Sequence, residues 1–287
     1  MNASDLHYKN FILYILLTNF MNTTTSPLPS IPEIYLDLVK QDTLEPTNTV
    51  SRLFSDLVTS VLHEPQKQAC DWLNEEQITH LQSICGQGEF ALELYWSKKI
   101  STSPDPWLSL QEFPYFKNYV ALTKLEWQTL QSCKQHTEHN IVFCGGGPLP
   151  LTAILIAQWF TVPITILDSN REAVIQARSL IESLGLHNLI NTQHRTAQAY
   201  TNYAAHNSVY VAALAGSDAS VKRQIFATIR QQATAHTHVL TRSSWDARTL
   251  LYQPLDIQAI PGFRIQTEIR PAAPIINSIL ILTPDNT

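Results

Sequence analysis

Cys144 to Pro150 reads CGGGPLP and holds three of the 8 glycines in this 287-residue chain. It follows the apolar run Ile141-Val142-Phe143 and precedes the helix-like stretch Leu151–Phe160. A glycine turn between a parallel strand and a helix lets backbone approach a ligand, because no Cβ stands in the way. Pro148 and Pro150 suit a helix first turn, where no backbone donor is needed. Asp168 ends the next strand-like run, 23 residues after Gly145. An acidic side chain there accepts hydrogen bonds from both hydroxyls of a ribose. The dinucleotide pattern GxGxxG is absent, since Gly145-x-Gly147 runs into Leu149 and Pro150. Gly145, Gly146, Gly147, Pro148 and Asp168 therefore predict a nucleoside site without a pyrophosphate. Without Asp168, the glycines would read as no more than a tight strand–helix turn.

The surrounding elements must position that turn. Val50, Leu53, Phe54, Leu57, Val58, Val61 and Leu62 recur at helical spacing. Asn74, followed by Glu75 and Glu76, caps a helix containing Ile78, Leu81 and Ile84; further helices are expected over about 89–100 and 116–136. From Asn140 short strands alternate with helices: 141–144, 163–167, 189–194, 208–213 and 238–241, separated by helices at 151–160, 170–184 and 218–233. That alternation predicts a parallel sheet covered on both faces. Phe263–Ile269 and Ile275–Thr283 are separated only by Arg270-Pro271-Ala272-Ala273-Pro274, too short for a crossover, so they should pair antiparallel. The layout is that of a class I S-adenosylmethionine-dependent transferase: an α/β, Rossmann-like domain closed by a C-terminal antiparallel hairpin, here behind an all-helical block. S-adenosylmethionine is a nucleoside without pyrophosphate.

The domain reading is 1–34 as a disordered or misassigned extension, 35–138 as a helical N-terminal domain, and 139–287 as the Rossmann-like domain. Phe11–Phe20 is apolar but too short to span a membrane, and no small-x-small cleavage site follows it. A start at Met21 is expected; a packed or disordered tail and a targeting segment are the alternatives. Net charge is −5 with no basic stripe, which disfavours nucleic acid. Cys70, Cys85, Cys133 and Cys144 form no CxxC, so a reduced, cytoplasmic protein is expected. The 10 histidines are scattered, and no metal site is read from them.

Several blocks resemble the nicotianamine synthase family, including its shorter archaeal and bacterial members. FPYFKNYVALTKLEWQTL (113–130) resembles the helix before that family's nucleotide domain, and IVFCGGGPLPLTAILIA (141–157) its cofactor loop. VYVAALAG (209–216), VLTRSSWDARTLLYQPLD (239–256) and INSILIL (276–282) match in order, so the likeness covers about 80–283. It implies transfer of a 3-amino-3-carboxypropyl group from S-adenosylmethionine, the co-substrate, to an amine, with release of methylthioadenosine. Plant members condense three such units into nicotianamine, and bacterial members add one unit to an amino acid in making an opine-type metallophore. The products chelate metal; the enzyme needs none. An amino-acid acceptor, an opine dehydrogenase acting on the product and a homodimer are the partners to consider, with neither nucleic acid nor membrane among them.

The resemblance also assigns roles. Glu93, in Glu93-x-Tyr95-Trp96, becomes the base for the incoming amine, with Glu89 one turn earlier as the competing assignment. On spacing alone either is a solvated helix glutamate. Tyr119 becomes the partner of the substrate amine or carboxylate and Tyr115 a second contact, though both would serve equally as core aromatics. Glu126 reads as structural. Arg242 and Ser243 follow a strand at the carboxyl edge, where an arginine can grip a carboxylate in a fork; Arg248 is a weaker choice and a surface arginine the alternative. Ala197 and Gln198 are expected by the adenine, with Gln198 where family members often carry an acid. Ala213 and Leu214 should line the adenine slot. Two other readings stand beside this one: a methyltransferase, which would release adenosylhomocysteine, and a non-catalytic binding protein on the same fold.

Overall fold

The computed structural model describes residues 28–64, 66–133, 139–216 and 218–285. The segment 1–20, and with it the choice of start, lies outside those residues. The chain divides after Ser30, and the unit from Ile31 onward carries every element below. Its helices are α1 (Ile31–Val39), α2 (Asn48–His63), α3 (Glu75–Ser101), α4 (Pro106–Gln111) and α5 (Phe116–Cys133), then α6 (Leu151–Phe160), α7 (Arg171–Ser183) and α8 (Ala219–Gln232). The strands are β1 (Ile141–Cys144), β2 (Ile164–Asp168), β3 (Ile190–His194), β4 (Ser208–Val211), β5 (His238–Ser243), β6 (Phe263–Ile269) and β7 (Ser278–Pro284).

The seven strands form one sheet in the order β3-β2-β1-β4-β5-β7-β6. β1 to β5 pair in parallel and β7 pairs antiparallel with β5 and β6, the expected doubly wound sheet with a closing hairpin. Successive side chains leave a strand on opposite faces, and here they feed two cores. Ile141, Phe143, Ile166 and Tyr210 join the core under α5, α6 and α7, while Val142, Cys144, Val209 and Val211 join the one under α8. A strand buried on both faces reads as a continuous apolar run, which is why IVFC was recognisable as β1.

A third core belongs to α1, α2 and α3, through Ile34, Leu38, Leu53, Leu57, Leu81 and Ile84. It is completed by Ala247, Leu250, Leu251 and Ile276 from the far end of the chain. The two helices expected around Ile78–Ile84 and Glu89–Ile100 are one, α3, of 27 residues. Asn74 starts it as expected, accepting from Gln77 N while the Gln77 side chain accepts from Asn74 N. Gly86 and Gly88, between the two expected pieces, do not end it. Gly88 serves a close approach: a Cβ there would lie 2.3 Å from Phe54 Cζ. At Gly86 the nearest atom is an ordinary contact, Leu214 Cδ2 at 3.7 Å. α1 and α4 were not anticipated; both are short, and both carry a proline in the first turn.

The two glycines should respond oppositely to alanine. Gly88→Ala is expected to lower stability by about 1–3 kcal/mol as Phe54 is displaced. Gly86→Ala should raise it by roughly 0.5–1 kcal/mol through helix propensity. Urea denaturation midpoints of the two variants check this.

Candidate active site

Strand β1 delivers the chain to the glycines at the carboxyl edge of the sheet, and each glycine has its own reason. Gly145 has φ +81°, and a Cβ there would meet Ala215 Cβ at 2.9 Å. A Cβ on Gly146 would lie 2.3 Å from Ile166 Cγ2 of β2. Gly147 has φ +64°, and its Cβ would lie 2.6 Å from Glu93 Oε2. Asp168, at the end of β2, fastens the turn: Oδ2 accepts from Gly147 N and Oδ1 from Asn170 N, both at 2.8 Å. Pro150 is the residue before α6 and Leu151 starts the helix, so neither Pro148 nor Pro150 occupies its first turn. The turn is already closed at Pro148 by the left-handed Gly147, and Pro148 does not line the cavity.

A cavity of 1460 Å³ runs from this turn into the helical block. Its walls bring together Glu93, Tyr119 and Tyr115 with Gly145 to Gly147, Asp168, Ala197, Gln198, Ala213 and Leu214. The residues expected beside the adenine are held by their own loops. Ala197 starts a short turn after β3, and its carbonyl accepts from Tyr203 Oη at 2.9 Å. The Ala213 carbonyl accepts from Lys222 Nζ at 2.9 Å. Lys222 was not anticipated; burial pushes its ammonium down to about 8.

Glu93 is 8% exposed, against the expectation for a helix glutamate read by periodicity. The sheet edge covers that side of α3, and Glu93 Oε1 accepts from Tyr119 Oη at 3.4 Å. One turn earlier, Glu89 Oε2 accepts from Tyr252 Oη at 2.7 Å. Burial, then the neighbouring charge of Glu89, raises Glu93 well above the ordinary carboxylate range, while the Tyr119 hydrogen bond pulls the other way. Burial likewise raises Glu89, opposed by Tyr252 and by Arg242. Tyr115 is pushed up to about 12 by burial and then by Glu89 and Cys85. Tyr252 escaped the sequence reading, for it meets its partner across 163 residues and sits among apolar neighbours.

Arg242 does not present a free fork. Its Nε donates to Glu126 Oε1 at 2.6 Å, and its Nη2 donates to Glu126 Oε2 at 3.1 Å and Thr152 Oγ1 at 2.7 Å. The bidentate grip suggested for a substrate carboxylate is thus filled from within the protein. Its guanidinium carbon lies 5.8 Å from the centre of the Tyr119 ring, so the pair backs that tyrosine. Ser243 and Arg248 lie outside the cavity wall. Ser243 Oγ accepts from Leu255 N at 2.8 Å, and Arg248 stacks 4.2 Å over Trp245. Both serve the segment that carries Tyr252. Among the described residues no three His, Cys, Asp or Glu side chains gather as a metal site, and no helix is long and apolar enough to cross a membrane.

A parallel sheet with a glycine turn after β1, an acid ending β2 and a hairpin closing the far edge defines a class I S-adenosylmethionine-dependent transferase fold. The model of the nicotianamine synthase protein family matches residues 21–286. Nicotianamine synthase of Solanum lycopersicum is 30% identical over 257 residues, covering 87% of this chain and 80% of the tomato protein. Nicotianamine synthase 2 of Arabidopsis thaliana is 28% identical, covering 88% and 81%. Among solved structures, MtNAS in complex with MTA and tNA has a TM-score of 0.77 at 22% identity, covering 88% of this chain and 96% of that one. A mutant of MtNAS in complex with S-adenosylmethionine has a TM-score of 0.75 at 23% identity, covering 88% and 95%. The chain belongs to the nicotianamine synthase family. As a member it is an aminocarboxypropyl transferase with S-adenosylmethionine as co-substrate.

Glu126 is fully buried, so removing its partner leaves an uncompensated charge. Arg242→Met is expected to cost about 3–5 kcal/mol, and Arg242→Met with Glu126→Leu to recover most of it. Thermal unfolding of both variants checks this.

Proposed function

We infer that the protein transfers the 3-amino-3-carboxypropyl group of S-adenosylmethionine to the amine of an amino acid and releases methylthioadenosine, in making a nicotianamine-like metal chelator. The observation that carries this reading is Glu93, buried against Gly147 on one side and bonded to Tyr119 on the other. Asp168 is suited to the ribose, Ala197 and Gln198 to the adenine, and Ala213 and Leu214 to its slot. The glycine turn then brings backbone to the methionine end. Glu93 and Tyr119 flank the place where the γ-carbon would lie. The complexes of MtNAS with S-adenosylmethionine and with MTA and tNA support the choice of co-substrate.

The reaction follows from those positions. The carbon attacked is the γ-carbon of the methionine moiety, so the amine must stand in line with its C–S bond, which is catalysis by positioning. The amine arrives protonated, and Glu93 takes that proton. The nitrogen lone pair then forms the C–N bond while the C–S electrons leave on sulfur. A carboxylate raised by burial is a better base than a solvated one, and the cationic sulfonium restores its charge when bound. Where a single unit is added, the transferred 3-amino-3-carboxypropyl group keeps its own primary amine, which is the nitrogen an opine dehydrogenase acting on the product would condense with an oxo acid.

Incubation of purified protein with S-adenosylmethionine and a panel of amino acids, followed by mass spectrometry, tests the reading. Methylthioadenosine and an acceptor heavier by one aminocarboxypropyl unit are expected, with the rate lowered about 10²–10⁴-fold in Glu93→Gln. Adenosylhomocysteine with a methylated product would overturn it. Since only ionised Glu93 accepts a proton, kcat/KM should rise with pH to a midpoint above the free glutamate value of about 4.3. The acid limb of kcat should lie lower, because bound sulfonium favours the carboxylate.

A further inference from the structure

The chemistry above uses one carboxylate, yet the cavity wall presents two on the same face of α3. Glu89 and Glu93 are four residues apart on one helix face, about 6 Å along the axis, and each is met by a different tyrosine hydroxyl. Tyr252 comes from the segment after β5 and donates to Glu89 at 2.7 Å, closer than Tyr119 stands to Glu93. A half-buried glutamate held this firmly, on a cavity wall and with no cation bonded to it, is unusual for a structural residue, because burying a carboxylate is costly unless it is paired.

We propose that Glu89, oriented by the Tyr252 hydroxyl, is a second catalytic carboxylate of this transfer: it holds the positive charge of the acceptor nitrogen while Glu93 takes the proton. The proposal rests on the transfer reading above. Charge balance supports it. Before the reaction the centre holds two cations, the sulfonium and the acceptor ammonium, against Glu89 and Glu93. The ammonium N–H bond breaks and an O–H bond forms on Glu93. The nitrogen pair bonds to the γ-carbon, the C–S pair goes to sulfur, and neutral methylthioadenosine departs. One cation remains, the new secondary ammonium, facing the one remaining carboxylate, Glu89. The centre is therefore neutral before and after, and no charge is stranded in a site screened from water. Arg242 cannot take this role in reverse, being already matched by Glu126.

The groups facing Glu89 agree. Cys85 and Glu93 come from α3, Tyr115 and Tyr119 from the FPY turn and α5, Tyr252 from the segment after β5, and Arg242 from β5. With no ligand, burial and mutual repulsion favour protons on the two carboxylates; two arriving cations favour their release.

Steady-state kinetics over a range of pH, with S-adenosylmethionine and the acceptor varied separately, tests the proposal. Glu89→Gln should raise KM for the acceptor by roughly 10- to 100-fold, the loss of one hydrogen bond to a charged group, and KM for S-adenosylmethionine by less. It should also move the acid limb of kcat/KM to lower pH, because Glu93 then ionises without a like charge beside it. Tyr252→Phe, which keeps the ring and its packing, should raise the acceptor KM by roughly 3- to 10-fold. Folded variants that keep the wild-type acceptor KM and acid limb would overturn the proposal. If Glu89→Gln does not fold, an unchanged acceptor KM in Tyr252→Phe overturns it alone. Wild-type protein that yields adenosylhomocysteine would instead remove the transfer reading, and this proposal with it.

Discussion

A carboxylate with no access to water has to be paired, and Glu126 is such a carboxylate. Its partner is Arg242 of β5, which also takes Thr152 of α6. Three elements are therefore tied at one point: α5, the carboxyl end of β5 and the first turn of α6. α5 carries Tyr119, and α6 follows directly on the glycine turn. The fork geometry of the guanidinium fixes direction as well as distance. Tyr119 thus meets Glu93 at an angle set by a contact that neither residue makes. Phe113, 6.3 Å from the Tyr119 ring and 6.0 Å from that of Tyr115, braces the same corner from the apolar side.

The glycine turn and the helical block depend on each other in the same way. The carboxylate of Glu93 lies where a side chain on Gly147 would be, and Gly147 N is held by Asp168. Asp168 thus holds the backbone of Gly147 against the carboxylate of Glu93. Moving any one of the three moves the others, which is what preorganisation means at the level of atoms.

Strands were legible because burial on both faces leaves an unbroken apolar run, as in IVFC and SVYV. The hairpin was legible because five residues cannot cross a sheet. Helix ends were legible where a cap had a chemical signature, as at Asn74. The continuity of α3 was not, since a glycine that admits Phe54 looks in sequence like a glycine that ends a helix. The glycine turn and Asp168 could be read from type and spacing. Glu93 stood out only through resemblance, because nothing local says that the sheet edge will cover that face of α3. Glu126 with Arg242, and Glu89 with Tyr252, are pairs 116 and 163 residues apart. Each partner has an ordinary surface reading alone, and only the folded chain shows that it is taken.

The core under α1, α2 and α3 is finished by Ala247, Leu250 and Leu251, about 150 residues further along the chain. A ribosome making 5–20 residues per second needs on the order of ten seconds to supply them. Through that interval Leu53, Leu57 and Leu81 have emerged without the surface that covers them. The first third of the protein to be made is therefore among the last parts to be sealed, and a chain cut short before Leu250 would leave an open apolar face for chaperones to find.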